Sequence, residues 1–311
     1  MRAGEGLVGV SEPPPARPRL RRLEVVVNPR AGHAGPDAPG VIEQIAAQLG
    51  LECRVRAPEP DDLWRELRQA VDADPDLLVV LAGDGTARAA ASLCGPKGPL
   101  LAPLAGGTMN MLPHALYGPG DWRVTLKEAL EHGVEVPVSG GEVDGRHFHV
   151  AAILGEPALW AEAREAARMH HPQLAWRKAR HAWRRAFSHR LRYRLDDGPK
   201  VKTLALTLMC PLVSKAMNRD ELALEAARLD PQGIADALRL GARTALSRLV
   251  GDWRDDPSVE VTSCREGVAW SGGPHLRAIL DGEPMRLHRQ AEIRFVPVAF
   301  RALAPAVRPA A

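Results

Sequence analysis

The fold of the chain is decided by residues 77–112, LLVVLAGDGTARAAASLCGPKGPLLAPLAGGTMNML. They open with a continuous apolar run, Leu77 to Leu81, which is too short for a helix and is typical of a strand buried on both faces. The run ends at the turn Ala82 to Thr86, and the alanine-rich segment Ala87 to Leu93 predicts a helix. A second apolar strand, Leu100 to Leu104, leads into a second glycine turn at residues 106–110. The stretch therefore predicts a strand–helix–strand unit with glycine turns at the carboxyl ends of two parallel strands.

These two turns have the composition of a phosphate-binding edge. Open α/β sheets bind ligands outside the carboxyl ends of their strands, and glycine N–H groups beside a helix N-terminus suit phosphate. Asp84 is the one carboxylate in the two turns, and a lone acid in such a setting most naturally meets phosphates through Mg²⁺. Gly-Asp-Gly is also a common plain turn. The second turn, which follows a second buried strand, favours the ligand interpretation.

The residues before this unit repeat its alternation of strands and helices. Strands are predicted at 23–27 and 51–56, and helices at 40–49 and 63–70. This alternation predicts a doubly wound parallel sheet of the α/β class. The first strand ends at Asn28-Pro29-Arg30-Ala31-Gly32, which is either a plain strand-to-helix turn or a third part of the ligand site.

The second half of the chain has a different pattern, with short strands and hairpin turns that predict a mostly antiparallel β domain. One hairpin is predicted around Asp144-Gly145, with His147 and His149 on one strand face but no evident third metal ligand. Another turn, Asp281-Gly282-Glu283, places two carboxylates between apolar strands. The predicted organisation is a disordered tail (1–20), a nucleotide-binding domain (21–137), a β-rich domain (138–300) and a C-terminal tail (301–311).

Residues 156–190 of the β-rich domain predict a basic helical arm. Tryptophans at 160, 176 and 183 alternate with arginines, and no acid occurs between Ala166 and Leu195. Such a helix suits an anionic membrane surface, and it equally suits a solvated arm that packs its tryptophans on the domain. Nucleic acid is not expected, because the basic character is confined to this arm.

Composition excludes several classes of protein. The net charge of +3 is too small to dictate a partner, and the four cysteines are too far apart for a Cys-x-x-Cys site, so we expect them to be reduced. No apolar run is long enough to span a bilayer, and the N-terminus lacks the apolar core of a signal peptide. The Gly-x-Gly-x-x-Gly and Gly-x-x-x-x-Gly-Lys-Ser/Thr motifs are absent, which argues against a dehydrogenase and a Walker-type ATPase.

With all its turns in place, the chain resembles the diacylglycerol kinase catalytic-domain family of bacterial lipid kinases, which is related to sphingosine and ceramide kinases. The family pattern of Asn-Pro-x-x-Gly, Gly-Gly-Asp-Gly-Thr, Gly-Thr-x-Asn-Asp and a distant Asp-Gly-Glu stands here at residues 28–32, 82–86, 107–111 and 281–283. The resemblance covers about residues 22–298. It implies an N-terminal nucleotide domain of the type shared with NAD kinase, a C-terminal β domain, and an active site between them.

The resemblance also implies roles for individual residues. Glu283 would accept the proton of the lipid hydroxyl, with Asp281 beside it, and Asp84 would hold Mg²⁺ at the triphosphate. The residues implied in ATP binding are Asn28, Pro29, Arg30, Ala31, Gly32, Gly83, Asp84, Gly85, Thr86, Gly107, Thr108 and Asn110. Phosphoryl transfer needs a base, a metal ion and phosphate-binding backbone, because it depends on positioning and charge stabilisation more than on covalent bonds to the protein.

Some positions depart from the family pattern. Ala82 replaces a glycine, Met111 stands in place of an aspartate, and Ala89 stands where many members have a glutamate. The structural magnesium loop of bacterial members would fall near Asp230, where the spacing is altered.

The sequence therefore predicts an ATP- and Mg²⁺-dependent lipid kinase that acts from the cytoplasm, peripheral to the membrane. An NAD kinase-like enzyme and a catalytically weak nucleotide- or lipid-binding protein are the alternatives. The expected partners are the lipid substrate and a transient membrane surface, with a homodimer left open.

Overall fold

The computed structural model describes residues 17–155, 190–214, 216, 222–230 and 253–306. The basic arm predicted for residues 156–190 lies outside these residues, except for Arg190. Its prediction as a helix and as a membrane contact therefore stays a prediction.

The first half of the chain forms the predicted doubly wound parallel sheet. Its four strands stand in the order β2-β1-β3-β4 and all pair in parallel. They are β1 (Arg22–Val27), β2 (Glu52–Arg56), β3 (Leu77–Ala82) and β4 (Leu100–Ala105). Every residue of β3 is buried, because this central strand is covered by helices on both faces.

Five helices cover this sheet. They are α1 (Ala38–Gln48), α2 (Leu63–Asp72), α3 (Asp84–Cys94), α4 (Met111–Tyr117) and α5 (Trp122–His132). Leu67 of α2 and Ala87 of α3 belong to the apolar cluster on one face of the sheet. Ile42 of α1 and Leu126 of α5 belong to the cluster on the other face. The predicted fold class is therefore confirmed.

Helix α3 begins three residues earlier than predicted. Gly83 is its extended N-cap residue (φ −82°, ψ 173°), and the Ala87 N–H donates to the Gly83 carbonyl at 3.0 Å. Asp84, Gly85 and Thr86 are therefore the first helical turn and not a separate loop. A carboxylate in that turn is favoured by the helix dipole, which offsets part of the low helix propensity of Gly85.

Within the described residues, the second half of the chain adds twelve strands in two sheets. They are β5 (Val134–Val143), β6 (Arg146–Phe148), β7 (Ala151–Gly155), β8 (Leu191–Leu195), β9 (Val201–Thr203), β10 (Ala205–Met209), β11 (Leu224–Leu229), β12 (Val259–Cys264), β13 (Glu266–Trp270), β14 (Leu276–Leu280), β15 (Glu283–Leu287) and β16 (Gln290–Ala304). Strands β7, β10, β11, β12, β14 and β15 form a separate six-stranded antiparallel sheet, and the other strands extend the parallel sheet. The sequence analysis did not identify β13.

Strand β16 joins the two halves of the chain. It pairs in parallel with β4 through Ala302 and Leu101, and antiparallel with β5 and β13. Strand β5 pairs with β16 and therefore belongs to the same ten-stranded sheet. The domain boundary predicted at 137/138 falls inside β5.

The predicted C-terminal tail is wrong in its first residues. Strand β16 continues to Ala304, and Ala302, Leu303 and Ala304 are fully buried. The sequence pattern missed this segment because alanine-rich strands carry little apolar signal. No helix in the described part of the chain is long and apolar enough to cross a membrane.

The packing of β16 generates a stability prediction. We expect Leu303→Ala to lower the free energy of unfolding by about 2–5 kcal/mol, because it leaves a cavity in a fully buried cluster. Urea unfolding followed by circular dichroism measures the change. Val298→Ala on the same strand is the control, because Val298 is 37% exposed and its loss should cost less than about 1 kcal/mol. Equal losses for the two variants would contradict the assignment of residues 301–304 to the core.

Candidate active site

The two glycine turns predicted to bind phosphate pack backbone against backbone. A Cβ atom on Gly107 would lie 2.6 Å from the Cα of Gly83, and one on Gly106 would lie 2.8 Å from the Ala82 nitrogen. Real Cβ atoms do not approach backbone atoms this closely, so no side chain fits at either position. Glycine is therefore required here by the contact between the ends of β3 and β4.

Asn110 closes the second turn. It is 5% exposed and left-handed (φ 51°, ψ 43°), a conformation that asparagine tolerates better than most residues. Its Oδ1 accepts from the Gly107 N–H at 2.7 Å, and its Nδ2 donates to the Gly107 carbonyl at 2.9 Å. Because both ends of its amide are used, Asn110 shapes the turn and has little left to offer a ligand.

The third predicted turn, residues 28–32, is connected to the same place by a residue that the sequence analysis missed. The Arg30 N–H donates to Asn28 Oδ1 at 3.0 Å, which forms an Asx turn. The next residue after the motif, His33, donates its backbone N–H to the Gly106 carbonyl at 2.9 Å. Its Nδ1 lies 2.6 Å from the Gly107 carbonyl, and a carbonyl oxygen only accepts, so Nδ1 carries a proton. His33 therefore fastens the first turn onto the second.

The remaining residues predicted to bind ATP lie around these contacts. Thr108, Pro29 and Gly32 are exposed, whereas Thr86 is half-buried in the first turn of α3. The Arg30 side chain reaches away to Glu59 at 3.0 Å in an exposed ion pair.

Asp84 connects the first turn of α3 to helix α4. Its Oδ1 accepts from the Met111 N–H at 2.6 Å. Burial raises the pKa of this carboxyl, and hydrogen bonds from the backbone of Met111, Asn110 and Leu112 oppose the rise. Within the part of the chain that the structure describes, no side chain donates to its second oxygen. A half-buried carboxylate beside glycine backbone suits Mg²⁺, which binds few protein oxygens and completes its shell with water and phosphate.

The proposed base lies against the Gly-Asp-Gly turn, although about 200 residues separate them in sequence. A Cβ atom on Gly85 would meet Oε1 of Glu283 at 3.4 Å. Glu283 itself is exposed. The fold therefore brings an exposed carboxylate from the second half of the chain to the first turn of α3.

Asp281 has a different environment from Glu283. It is 4% exposed, and its carboxylate accepts the N–H groups of His149 and Val150 at 2.8 Å and of Ala151 at 3.0 Å. Burial raises the pKa of Asp281 to about 6, although these three donors and the charge of Arg88 oppose the rise. Asp281 therefore holds the turn in place and does not face the cleft, so the structure does not place it as a second base.

Two further residues lie around the base. The sulfur of Met111, at the family's aspartate position, would be 3.7 Å from a Cβ on Gly282. Arg88, which the sequence analysis missed, lies one helical turn after Asp84, and its charge lowers the pKa of both Asp281 and His149. Its Nε is buried without a partner among the described residues. The i, i+4 spacing from Asp84 was the signal that could have identified it.

The predicted pair of His147 and His149 does not form a metal site with a third ligand. No group of three or more His, Cys, Asp or Glu side chains that could hold a metal occurs among the described residues. His149 is 1% exposed, and burial lowers its pKa to about 3. Its ring packs edge-on against Phe300 with centroids 5.1 Å apart. Asp230, near which the family's structural magnesium loop would fall, pairs with Arg190 at 2.5 Å.

Comparison with known proteins agrees with this arrangement. Residues 22–143 match the family model of the diacylglycerol kinase catalytic domain. Three solved structures from Bacillus anthracis str. Sterne are similar in fold, one described as a diacylglycerol kinase and two provisionally so. Their TM-scores are 0.65, 0.67 and 0.64 at 15%, 16% and 18% identity, and each match covers 92% of this chain and 97–98% of the other. The resemblance predicted from the motifs is thus confirmed: residues 22–143 match the model of the diacylglycerol kinase catalytic domain, and the chain shares the fold of diacylglycerol kinase-like structures.

Proposed function

We propose that this protein is an ATP-dependent lipid kinase, which transfers the γ-phosphoryl group of ATP to a hydroxyl of a lipid such as diacylglycerol. The observation that carries the proposal is the contact between Glu283 and Gly85. This contact places the Glu283 carboxylate, which can accept a proton, next to the Gly85 backbone, which can bind phosphates. The match of residues 22–143 to a kinase catalytic domain supports the same reaction.

The donor would bind through backbone rather than through basic side chains. The first turn of α3 presents free N–H groups, as every helix N-terminus does. Gly106 and Gly107 pack their backbone directly against Ala82 and Gly83, which brings the peptide groups of the two turns together beside the proposed phosphate position. Asp84 would hold Mg²⁺ through its second oxygen, and the ion would neutralise charge on the phosphates.

The transfer requires the protein to accept one proton from the acceptor hydroxyl. The acceptor hydroxyl would bind between Glu283 and the γ-phosphate. As its oxygen forms a bond to the γ-phosphorus, its proton passes to the Glu283 carboxylate. The bond from that phosphorus to the bridging oxygen breaks, and ADP leaves with the electron pair.

Asp281 is proposed as a positioning residue for this base. The turn Asp281-Gly282 is left-handed at both residues (φ 48° and 87°), and this conformation sets the direction in which β15 begins at Glu283. The three hydrogen bonds to residues 149–151 hold the turn in that conformation. The buried Asp281 carboxylate thus helps to fix the position of the exposed Glu283 carboxylate.

Met111 takes the place of the family aspartate beside the proposed acceptor site. Met111 fills the space beside Gly282 that a family aspartate would occupy. The site is therefore more apolar than the family pattern, which suits a lipid better than NAD. Peripheral membrane contact by the arm 156–190 remains part of the proposal.

The proposal is tested by offering labelled ATP with diacylglycerol, monoacylglycerol, sphingoid bases and NAD in parallel. We expect label on a lipid, and we expect Glu283→Gln to lower kcat by about 10²–10⁴-fold while leaving the Kd for ATP unchanged. Glu292→Gln, an equal change at an exposed glutamate on β16, is the control.

Three outcomes would contradict parts of this assignment. Label on NAD alone would exclude the lipid kinase in favour of the NAD kinase alternative. ATP binding without label on any acceptor would favour the non-catalytic alternative. Turnover of Glu283→Gln at the wild-type rate would mean that another residue is the base.

The burial of Asp281 predicts a pH dependence of stability. An unfolded Asp titrates near 3.9, whereas burial raises the pKa of Asp281 to about 6. Between these values the native state binds more protons than the unfolded state, so stability falls as pH rises from about 4 to about 6. We expect the free energy of unfolding of wild type, minus that of Asp281→Asn, to fall by roughly 2–3 kcal/mol across this window.

Urea unfolding of both proteins at matched pH values measures this difference, and the titration of all other groups cancels in it. A difference that stays flat from pH 4 to 7 would show that Asp281 is not held in the buried, hydrogen-bonded state. A kcat of Asp281→Asn close to wild type would remove its positioning role even if the stability result holds.

A further inference from the structure

A basic cavity lies at the far edge of the ten-stranded sheet, on strands β8, β9 and β13 and the start of β16. Its volume is about 600 Å³. It shares no residue with the candidate active site. The side chains that give it its character are Arg190, Arg192, Lys200, Lys202, Arg289 and Trp270. The lining contains no acidic residue within the described chain.

The strand register places two of these cations directly against each other. Arg192 on β8 pairs with Lys202 on β9 and, on its other side, with Trp270 on β13. Like charges directly opposite each other on antiparallel strands destabilise a sheet. The strands could bear a neutral or acidic residue here at no structural cost, because this face is exposed.

Most of the charge in the cavity is uncompensated. Arg190 pairs with Asp230 at 2.5 Å. The other cations, Arg192, Lys200, Lys202 and Arg289, form no ion pair within the residues the structure describes. An ordinary solvated face behaves differently, as Arg294 shows farther along β16. Arg294 lies 3.8 Å from Glu292 and 4.0 Å from Glu142.

Trp270 gives the cavity a fixed aromatic wall. Its indole Nε1 donates to Gln290 Oε1 at 3.0 Å, which fixes the ring. The Lys200 ammonium stands 4.1 Å from the ring centroid in a cation–π contact. The ring therefore orders the Lys200 ammonium. A cavity lined by this ordered cation and by the opposed Arg192 and Lys202, with no acidic residue in its described lining, favours binding of an anion.

We propose that this cavity docks the phosphate headgroups of an anionic bilayer. The cations are mostly exposed, and a single soluble phosphate would gain little from exposed charges. A bilayer surface presents many phosphates at once, and each basic residue near it adds to the attraction. Tryptophan suits the same boundary between water and lipid.

The chain next to the cavity supports a bilayer as the partner. Arg190 directly follows the segment 156–189, whose sequence has no acid after Glu165 and carries three tryptophans. Cavity and segment are thus continuous in sequence and alike in composition. The choice of a bilayer over nucleic acid rests on the proposed lipid kinase function.

The test measures binding of the full chain to sedimented vesicles of equal parts phosphatidylglycerol and phosphatidylcholine, and to phosphatidylcholine alone. We expect binding only to the anionic vesicles. Arg192→Glu should weaken it at least fivefold, because removing one well-placed cation alone is worth about 1 kcal/mol, which is about fivefold. Lys97→Glu, the same charge change at an exposed residue before β4, is the control and should weaken it less than twofold.

Urea unfolding of Arg192→Glu distinguishes a loss of vesicle docking from a loss of folding stability. Because Arg192→Glu would place opposite charges across from each other on β8 and β9, the variant should unfold at the same or a higher urea concentration than wild type. A loss of vesicle binding without a loss of stability therefore supports docking. Equal binding of the Arg192 and Lys97 variants would overturn the proposal.

Two soluble probes distinguish the source of the phosphate. Saturable binding of glycerol 3-phosphate that depends on Arg192 and persists without vesicles would replace the bilayer with a free phosphate compound. Tighter Arg192-dependent binding of a single-stranded oligonucleotide than of anionic vesicles would replace it with nucleic acid. Either result would overturn the bilayer assignment.

Failure of this proposal is distinguishable from failure of the lipid kinase proposal. Glu283→Gln should bind anionic vesicles as wild type does. Arg192→Glu should phosphorylate a short-chain, water-soluble diacylglycerol at the wild-type rate, because no cavity residue lies at the candidate active site. Loss of that soluble activity would mean that Arg192 acts through the catalytic site, which would contradict a separate docking surface.

Discussion

The close approach of two backbone turns is the constraint on which the candidate site depends. Strands β3 and β4 end side by side, and a side chain on Gly106 or Gly107 of the second turn would collide with the backbone of Ala82 or Gly83. This contact requires glycine in the second turn and brings that turn against the N-terminus of α3, where Gly83 is the N-cap. Asn110 and His33 then use their hydrogen bonds to fix the peptides of Gly106 and Gly107. The geometry of the proposed phosphate-binding edge thus follows from a packing requirement between two parallel strands.

The parallel half of the fold could be predicted because its signals are local. A buried parallel strand appears in the sequence as a continuous apolar run, as at Leu77–Leu81. The turn that follows it is marked by glycine. The base turn at 281–283 could be identified from sequence only through the family resemblance, because its partner Gly85 lies far away in the chain. No periodicity in β14 or β15 indicates that Glu283 faces α3.

The errors have physical reasons as well. The predicted tail at 301–304 failed because Ala302 and Ala304 are buried by neighbours rather than by their own hydrophobicity. The roles of Asp281 and Glu283 could not be separated from sequence, since both are carboxylates in one turn. Left-handed backbone at Asp281 and Gly282 points one carboxylate at three N–H groups of residues 149–151 and leaves the other exposed. Burial, which sequence does not show, decides which of them can exchange a proton with a ligand.

The two anion sites inferred for this protein would work by different physical means, and the difference suits their tasks. At the candidate active site Arg30 of the first turn is paired with Glu59, and the proposed attraction for phosphate would come from fixed peptide dipoles and a metal ion. Fixed dipoles act at short range and select geometry, which phosphoryl transfer needs. The cavity around Trp270 offers exposed side-chain cations instead, whose attraction extends over about a Debye length and tolerates variable geometry. A bilayer surface is a diffuse target that needs such tolerance, and separating the two sites keeps loose electrostatic capture from disturbing the geometry of the transfer.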